Sequence, residues 1–295
     1  MTNTTKAGAL FTPDLITDMF SKVKGHSTLA KLCASEPIPF NGTSQFVFSM
    51  DGEASIVEEG ADKPAGDATL KAVTITPVKF VYQHRLTDEF LKMAEDKQLP
   101  YMQAFTDGFA KKMARALDIA AFHGINPATK ATASQLAEKN FDMSGIGKVV
   151  QVAGKEDDNL SDAITTLVAS DHDVTGIAFA PEMGEALAKI KVNGLAQYPE
   201  FRFGGRPNTF AGRPCDVNTT LAFNSSNDLA IVGDFENAFK WGYAEDVPVE
   251  IIEYGNPDGL GDLKAKNQIV LRAEAYIGWG ILDNSAFKRV EKPNA

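Results

Sequence analysis

The feature that most constrains this sequence is a long hairpin pattern near the N-terminus that has nothing of its own to pack on. Residues 45–50 alternate between apolar and polar side chains and place Phe46 and Phe48 on one face, and a second β-branched stretch runs over 70–78. Residues 51–69 join the two stretches, and a connection longer than about 15 residues is uncommon in a compact domain. The pattern therefore predicts a hairpin arm that projects from the body of the protein.

The connection at the tip of this hairpin is strongly acidic. Across residues 49–71 six acids outnumber two lysines, with acids at Asp51, Glu53, Glu58, Glu59, Asp62 and Asp67 and lysines at Lys63 and Lys71. A disordered surface loop has a similar composition. Composition alone therefore leaves two interpretations open, a projecting arm and a disordered loop.

The residues before the hairpin also lack a core of their own. Thr12 as the N-cap and Pro13 at the first helical position predict a short helix that ends at Gly25. Two prolines within residues 35–39 then predict an extended strap. A strap of this kind needs a surface outside itself, so we expect residues 1–80 to contact neighbouring chains rather than the core of their own chain.

The strongest helical pattern in the chain follows Pro100. Apolar residues recur at every fourth position while charged residues occupy the other faces, and the apolar row is Tyr101, Phe105, Phe109, Met113, Leu117 and Ala121. Gly124 and Pro127 supply the signals that end a helix. The pattern predicts a long amphipathic helix over about 100–123 whose apolar row packs on a core.

The rest of the chain mixes helices and strands. Acids at 156–158 favour the start of a helix near Leu160, because negative charge is stabilised at a helix N-terminus. The other predicted elements are a strand over 176–180, a helix over 181–192, a buried strand over 229–232, and a terminal hairpin of 247–254 and 268–282 joined by the Gly- and Asp-rich turn 255–262. This order indicates an α+β protein with a mixed α/β block.

No group of residues has the spacing of a catalytic, cofactor or metal site. The four histidines are isolated in the sequence, and the two cysteines lie far apart and form no CxxC pair. We therefore predict no enzymatic activity, no cofactor and no bound metal.

The charge and hydropathy of the chain exclude further classes. A net charge of −10 argues against a dedicated nucleic-acid-binding protein, because a polyanion is repelled on average. No stretch reaches the roughly 18 apolar residues of a membrane span, and the first ten residues lack the features of a signal peptide. We expect a cytoplasmic product that contacts no membrane.

A series of short motifs runs in order along nearly the whole chain. The motifs are FTPDL at 11–15, STL at 27–29, VEEG at 57–60, ITPVK at 75–79, LTDEF at 86–90, ALDIAAFHG at 116–124, GRP at 212–214, VGDF at 232–235 and IVLRA at 269–273. Taken together, their order and spacing resemble the major capsid proteins of tailed bacteriophages, whose fold is named for phage HK-97.

The resemblance implies an HK-97-like α+β capsid fold with four regions. These are an N-terminal arm over 1–40, an extended E-loop hairpin over 41–80, a P-domain over 81–150 and 247–295 with a spine helix of about 100–123, and a mixed α/β A-domain over 151–246. The arm and the hairpin are expected to reach over adjacent subunits. The residues expected at these contacts are Phe46, Phe48, Glu58, Glu59, Lys63, Asn256 and Asp258.

The function that the resemblance implies is self-assembly into an icosahedral shell of hexamers and pentamers around the double-stranded DNA of a tailed bacteriophage. Assembly would take place in the host cytoplasm, and the virion would add a portal and decoration proteins as partners. The arm begins within a few residues of Met1, so a separate scaffolding protein or none is expected. No motif pairs Lys63 with Asn256 or Asn267, so we expect no covalent cross-link. An acidic wall would let the DNA slide.

Two alternatives remain at this point. An encapsulin, the bacterial compartment with the same fold, predicts a pocket for a cargo peptide and a shorter projecting loop, and the acidic tip at 51–69 favours the phage subunit. An α/β hydrolase or transferase is compatible with the mixed α/β block alone and predicts a soluble monomer or small oligomer.

Overall fold

The computed structural model describes residues 26–51, 53–152, 154–244 and 249–293. The short helix predicted between Thr12 and Gly25 lies outside these residues. The helices are α1 (Thr28–Leu32), α2 (Glu95–His123), α3 (Glu156–Val168) and α4 (Pro181–Lys189).

The strands form two larger sheets and two separate hairpins. Their bounds are β1 (Thr43–Asp51), β2 (Asp67–Ile75), β3 (Val78–Thr87), β4 (Gly147–Val150), β5 (Gly176–Phe179), β6 (Lys191–Val192), β7 (Leu195–Ala196), β8 (Thr209–Phe210), β9 (Arg213–Val217), β10 (Asp228–Gly233), β11 (Phe239–Tyr243), β12 (Val249–Ile252), β13 (Gln268–Ile281) and β14 (Phe287–Glu291). The predicted terminal hairpin corresponds to β12 paired antiparallel with β13.

One sheet has six strands in the order β4-β14-β10-β5-β9-β8. Strand β10 is buried along its whole length, and β5 is buried as well. Helices α3 and α4 share the core of this sheet through Leu160, Leu167, Met183 and Leu187. The three acids predicted to start α3 lie in its first turn, so the helix begins at Glu156, four residues before Leu160. The mixed α/β block is therefore confirmed.

The second sheet is built around β13. Strand β3 pairs along one edge of β13, and β11 and β12 pair with its other edge. Helix α2 contributes the buried residues Phe109, Met113 and Leu117 to the core, which also contains Trp241 and Trp279. The apolar row predicted for the long helix thus faces the core from Phe109 onwards.

Two strands at the edges of the expected P-domain pair within the six-stranded sheet. The expectation places residues 147–150 and 287–291, which form β4 and β14, in the same domain as the spine helix. Strand β14 instead pairs antiparallel with β10 and parallel with β4, so both strands belong to the six-stranded sheet. The chain therefore crosses between the two sheets three times, after α2, between β10 and β11, and after β13.

Helix α2 begins at Glu95, five residues before the expected start at about residue 100. Pro100 has no backbone N–H and therefore removes one hydrogen-bond donor from the helix. For this reason the sequence pattern places Pro100 in the first turn of the helix. The side-chain amide of Gln98 donates to the carbonyl oxygens of Phe90 and Met93 at 2.8 and 3.0 Å, which anchors the additional turn. The C-terminal end is as predicted, because Gly124 adopts the left-handed conformation that ends the helix.

The strap after α1 packs on its own chain, and the expectation that residues 1–80 serve neighbouring chains is wrong for residues 26–38. The backbone N–H groups of Glu36 and Ile38 donate to the carbonyls of Trp241 and Tyr243 in β11 at 2.9 and 3.1 Å. Only a glycine allows this approach at position 242, since a Cβ there would lie 1.6 Å from the carbonyl oxygen of Glu36. The sequence pattern identified the extended conformation but not the surface beneath it.

The predicted hairpin is present as β1 paired antiparallel with β2, in an unbroken register from Thr43 opposite Ile75 to Asp51 opposite Asp67. Most of β2 is exposed, and Ile75 at its end is buried against the body. The hairpin is thus attached to the body at one end and is otherwise exposed. The alternating pattern predicts its strands, and the long connection predicts that it projects.

Candidate assembly interface

The outer face of the β1–β2 hairpin is apolar and exposed. The register places Phe46 opposite Ala72, Phe48 opposite Leu70, and Met50 opposite Ala68. Phe46, Phe48, Met50 and Leu70 are 68%, 60%, 76% and 64% exposed. We call this set of six residues the apolar hairpin face. A contiguous apolar surface on an unsupported hairpin marks an interaction site, since water is a poor solvent for it.

The tip of the hairpin combines exposed acids with exposed apolar side chains. Glu58, Glu59 and Lys63 are all exposed, and among the described residues none of them forms an ion pair. Ile56 beside them is fully exposed, and Gly60 turns the chain with a φ of 85°. The predicted contact residues at the tip are therefore free to meet another chain.

The predicted contact residues Asn256 and Asp258 lie in the turn between β12 and β13. Arg85 of β3 donates from Nε to Asp258 Oδ2 at 2.6 Å and from Nη2 to its other oxygen. This pairing lowers the pKa of Asp258 to about 2. The amide oxygen of Asn256 accepts from Gly261 N at 2.9 Å. Within the chain these two side chains shape the turn, and their contact with a neighbouring subunit stays a prediction.

Asp118 of α2 holds the start of α1 in place. Its carboxylate is fully buried and accepts from Ser27 Oγ at 2.5 Å, from Thr28 N at 2.9 Å and from Leu29 N at 3.3 Å. Thr220 Oγ1 also donates to it at 3.2 Å. Burial raises the pKa of Asp118 to about 6, although these donors oppose the shift. One carboxylate therefore joins the N-terminal segment, the long helix and the loop after β9.

A second buried polar cluster lies where α2 ends against the six-stranded sheet. His123 Nδ1 lies 3.1 Å from Asp142 Oδ2 and 3.7 Å from Asp228 Oδ2. Arg289 of β14 contacts Asp142 and lies 3.3 Å from Asp228 Oδ1, and its Nη2 lies 2.8 Å from Glu291 Oε1. Four separate parts of the sequence meet in this ionic cluster, which ties the end of α2 to the six-stranded sheet.

The pKa values of the titratable groups in the ionic cluster do not all shift in the same direction. Burial, reinforced by the charge of Asp142, raises the pKa of Asp228 to about 7 against the opposing charge of Arg289. Burial alone would lower the pKa of His123, but the hydrogen bond and charge of Asp142 raise it above the ordinary value. Burial opposes ionisation of Asp142 as well, and His123 and Arg289 nevertheless hold its pKa below the usual range.

The ligand atoms of His123, Asp142 and Asp228 lie within 4.8 Å of one another, which is close enough to hold a metal ion. The guanidinium of Arg289, however, contacts both carboxylates. It supplies the positive charge between them that a metal ion would otherwise supply. The chemistry of this donor set is that of a buried ion-pair network and does not fit a metal.

The ionic cluster predicts a decrease in stability as pH rises from 3.8, the ordinary pKa of Asp228, to about 7, its folded value. His123 and Asp228 have raised pKa values in the folded chain, so their contribution is fully present below their unfolded values and is lost as pH rises through the folded ones. Asp142 acts in the opposite sense, and its contribution is lost only in acid. Asp228→Asn is expected to flatten the decrease in thermal midpoint between pH 5 and 7, measured by circular dichroism.

The matched control for this experiment is Asp173→Asn, since Asp173 is an exposed carboxyl outside the ionic cluster. It is expected to leave the pH dependence of the wild-type chain unchanged. An equal slope for Asp228→Asn and the wild type would contradict the proposed role of this carboxyl.

Comparison with known proteins identifies the family. The profile of the phage capsid family matches residues 7–292. A structure from Mycobacterium phage Ogopogo is 30% identical, with a TM-score of 0.75 over 91% of this chain and 92% of that chain. One from Gordonia phage Cozz is 22% identical, with a TM-score of 0.75 over 90% and 86%. A capsid of a native GTA particle is 17% identical, with a TM-score of 0.64 over 100% and 95%. No curated protein matches the sequence.

Two packed sheets with an exposed apolar hairpin define a subunit that completes its burial against other chains. The chain belongs to the phage capsid family and has the HK-97-like fold that the resemblance implied. It is a phage major capsid shell protein, and as such a component of the virion. The comparisons give no support to an encapsulin or to an α/β enzyme. Within the described residues, none of the helices has the length and apolar character needed to cross a membrane.

Several residues of these sites have little or no signal in the sequence. Leu70 was part of a predicted strand, but its position opposite Phe48 depends on the register of the hairpin. Asp118 occupies a polar position of the amphipathic pattern, and its place in the small-residue stretch ALDIAA is its one signal in the sequence. The ionic cluster had no signal, because His123, Asp142, Asp228 and Arg289 meet only in the folded chain.

Proposed function

We propose that this capsid protein is a purely structural subunit that assembles with copies of itself into the hexamers and pentamers of an icosahedral shell. The observation that carries the proposal is the apolar hairpin face, whose four large side chains are each at least 60% exposed in the single chain. Each such side chain gains about 2 kcal/mol when it is buried. Many contacts of this size, repeated by symmetry, add up to a stable shell.

The regions of the fold receive corresponding roles in this proposal. The β1–β2 hairpin is the E-loop, which reaches over an adjacent subunit. The four-stranded sheet with α2 is the P-domain with its spine helix, and the six-stranded sheet with α3 and α4 is the A-domain at the symmetry axes. Glu58, Glu59 and Lys63 at the hairpin tip would make polar contacts around the buried apolar side chains of this interface.

The remaining partners follow from the same role. The shell encloses double-stranded DNA without sequence-specific binding, and the net charge of −10 weakens non-specific attachment to the polyanion. Assembly takes place in the host cytoplasm, with a separate scaffolding protein or none, and a portal and decoration proteins complete the particle.

Expression of the chain without other phage proteins tests the self-assembly. The products are separated by size exclusion and examined by negative-stain electron microscopy. Closed particles or capsomer rings are the expected result. A protein that stays monomeric, alone and in the presence of a coexpressed scaffolding protein, would overturn the proposal.

A further inference from the structure

The two ends of the β1–β2 hairpin lie on one face of the sheet around β13. Gly242 of β11 is directly opposite Gly278 of β13, and Gly280 lies two residues further along β13, so the three glycines share one face of this sheet. Three neighbouring positions without side chains leave a depression on that face. We call the surface over Gly242, Gly278 and Gly280 the glycine notch.

Side chains from both ends of the hairpin fill the glycine notch. Ile38 precedes β1 and Ile75 is the last residue of β2, and they are only 5% and 1% exposed. A Cβ at Gly278 would lie 3.1 Å from Ile38 Cδ1 and 3.2 Å from Ile75 Cγ2. A Cβ at Gly280 would lie 3.0 Å from Ile75 Cγ1. A larger residue at either position would therefore push the end of the hairpin away from the sheet.

Polar and aromatic contacts hold the hairpin ends beside the glycine notch. Lys139 Nζ donates to the carbonyl oxygen of Thr76 at 3.2 Å and also to its hydroxyl. The carbonyl oxygen of Lys139 accepts from Trp279 Nε1 at 2.7 Å, so this lysine is itself tied to β13. On the other link, the ring of Phe40 packs edge-on against Tyr276 with a centroid distance of 5.0 Å. Both links between the hairpin and the body are thus held on β13.

The far end of the hairpin lies a long way from these contacts. From Ile75 back to Asp67, β2 extends about 26 Å at about 3.3 Å per residue. All residues of β2 from Asp67 to Ala72 are exposed. A tilt of about 10° at the base would move the far end by about 4 Å over that length. The direction of the apolar hairpin face therefore depends on the contacts at the glycine notch.

We propose that Ile38 and Ile75 are positioning residues that, seated in the glycine notch, fix the direction of the hairpin relative to the body. Each subunit then presents the apolar hairpin face at one set angle before it meets a neighbour. A surface that is already oriented loses less conformational entropy when it binds, which strengthens every copy of the contact. The fixed direction is a property of the single chain, and its use in assembly rests on the proposed function.

Distances between spin labels in the single subunit test the proposal. Labels on Thr69→Cys, near the far end of the hairpin, and on Lys111→Cys, at an exposed position of α2, are measured by double electron–electron resonance. The native Cys33 and Cys215 are buried and stay unlabelled. The parent for this experiment is the full-length chain with Phe46→Asp and Phe48→Asp, which keep it a single subunit. One narrow distance distribution is expected, and a broad one would overturn the proposal.

Size changes at the glycine notch provide a second measurement. Ile75→Ala empties the notch and is expected to widen the distance distribution at least twofold. Gly280→Ala displaces Ile75 and is expected to move the mean distance by about 4 Å, the displacement that a tilt of about 10° gives. Combining the two is expected to restore the parent distribution, because the methyl group added at position 280 occupies space that the isoleucine leaves. An unchanged distribution for either single variant, or no restoration in the combined one, would overturn the proposal.

Matched controls change the same residue types away from the glycine notch. Leu70→Ala shortens an exposed side chain of the same strand, and Gly108→Ala adds a methyl group where no described side chain lies within 4 Å. Both are expected to keep the parent distribution, and thermal unfolding verifies that every variant is folded. A control that widens the distribution as much as Ile75→Ala would contradict the assignment to the notch.

The use of the fixed direction in assembly is measured separately. In the chain that keeps Phe46 and Phe48, Gly278→Ala with Gly280→Ala is expected to lower the yield of particles at least fivefold while the subunit stays folded. An unchanged yield of wild-type particles would overturn this role in assembly. Because the label distances come from single subunits, they decide the role of the glycine notch independently of whether shells form.

Discussion

Replacing Phe46 and Phe48 with aspartate is expected to abolish shell assembly and to leave the subunit folded. Both side chains are more than half exposed in the single chain, so their loss removes little from the subunit's own core. In the proposed interface the same positions are buried by a neighbour, where each phenylalanine contributes about 2 kcal/mol and a buried unpaired carboxylate costs more than that. The penalty is repeated at every copy of the interface, so the effect on assembly is large.

Sedimentation velocity and electron microscopy measure the loss of particles, and thermal unfolding verifies the fold of the subunit. A matched control uses the opposite face of the same strand, with Gln45→Asp and Ser49→Asp. These residues alternate with the phenylalanines and share the change in charge, and particles are expected to form. Normal assembly of the phenylalanine variant would show that the apolar hairpin face is not an interface.

The elements that could be predicted from the sequence are those with a strong local period. The alternation at 45–50 identifies β1 because successive side chains of a strand point to opposite faces. The four-residue spacing from Tyr101 to Ala121 identifies α2 because side chains four residues apart lie on the same face of a helix. Local signals also account for the end of α2, since Gly124 is the residue that tolerates the left-handed conformation found there.

The features that could not be predicted depend on contacts between distant parts of the chain. The strap at 35–39 has an extended pattern, but its support on β11 requires Gly242, which is some two hundred residues away. Strand β14 has no local property that assigns it to the six-stranded sheet rather than to the sheet around β13. Its assignment follows from the pairing with β10 and from Arg289, which joins the ionic cluster.

The contacts of Asp118 show how such long-range contacts set the relation between the two sheets. Helix α1 is only five residues long and would not be stable alone. It is held at its N-terminus by Asp118 of α2, while Thr28 Oγ1 and Lys31 Nζ donate to the carboxylate of Asp216 in β9 at 2.7 and 2.9 Å. This short helix therefore bridges the long helix of one core and a strand of the other.

Asp118→Ala is expected to destabilise the subunit by about 3 kcal/mol, because the donors on Ser27, Thr28 and Leu29 lose their buried acceptor. In a chain of this size the thermal midpoint is expected to fall by roughly 6–12 °C. Shell yield should fall with it, since α1 no longer fixes the two sheets relative to each other. Lys111→Ala, at an exposed position of the same helix, is the control and should leave the midpoint unchanged.

The pH dependence distinguishes this role from a simple cavity. Burial raises the folded pKa of Asp118 to about 6, so its ionised form is the costly one, and the wild-type carboxyl stabilises the fold more at pH 5 than at pH 8. The difference in thermal midpoint between wild type and Asp118→Ala should therefore be larger at pH 5. Asp118→Asn is neutral at both pH values and keeps one hydrogen-bond acceptor. At pH 5 its thermal midpoint should lie between those of the wild type and Asp118→Ala. A difference that does not change with pH would mean that Asp118 acts through its volume alone.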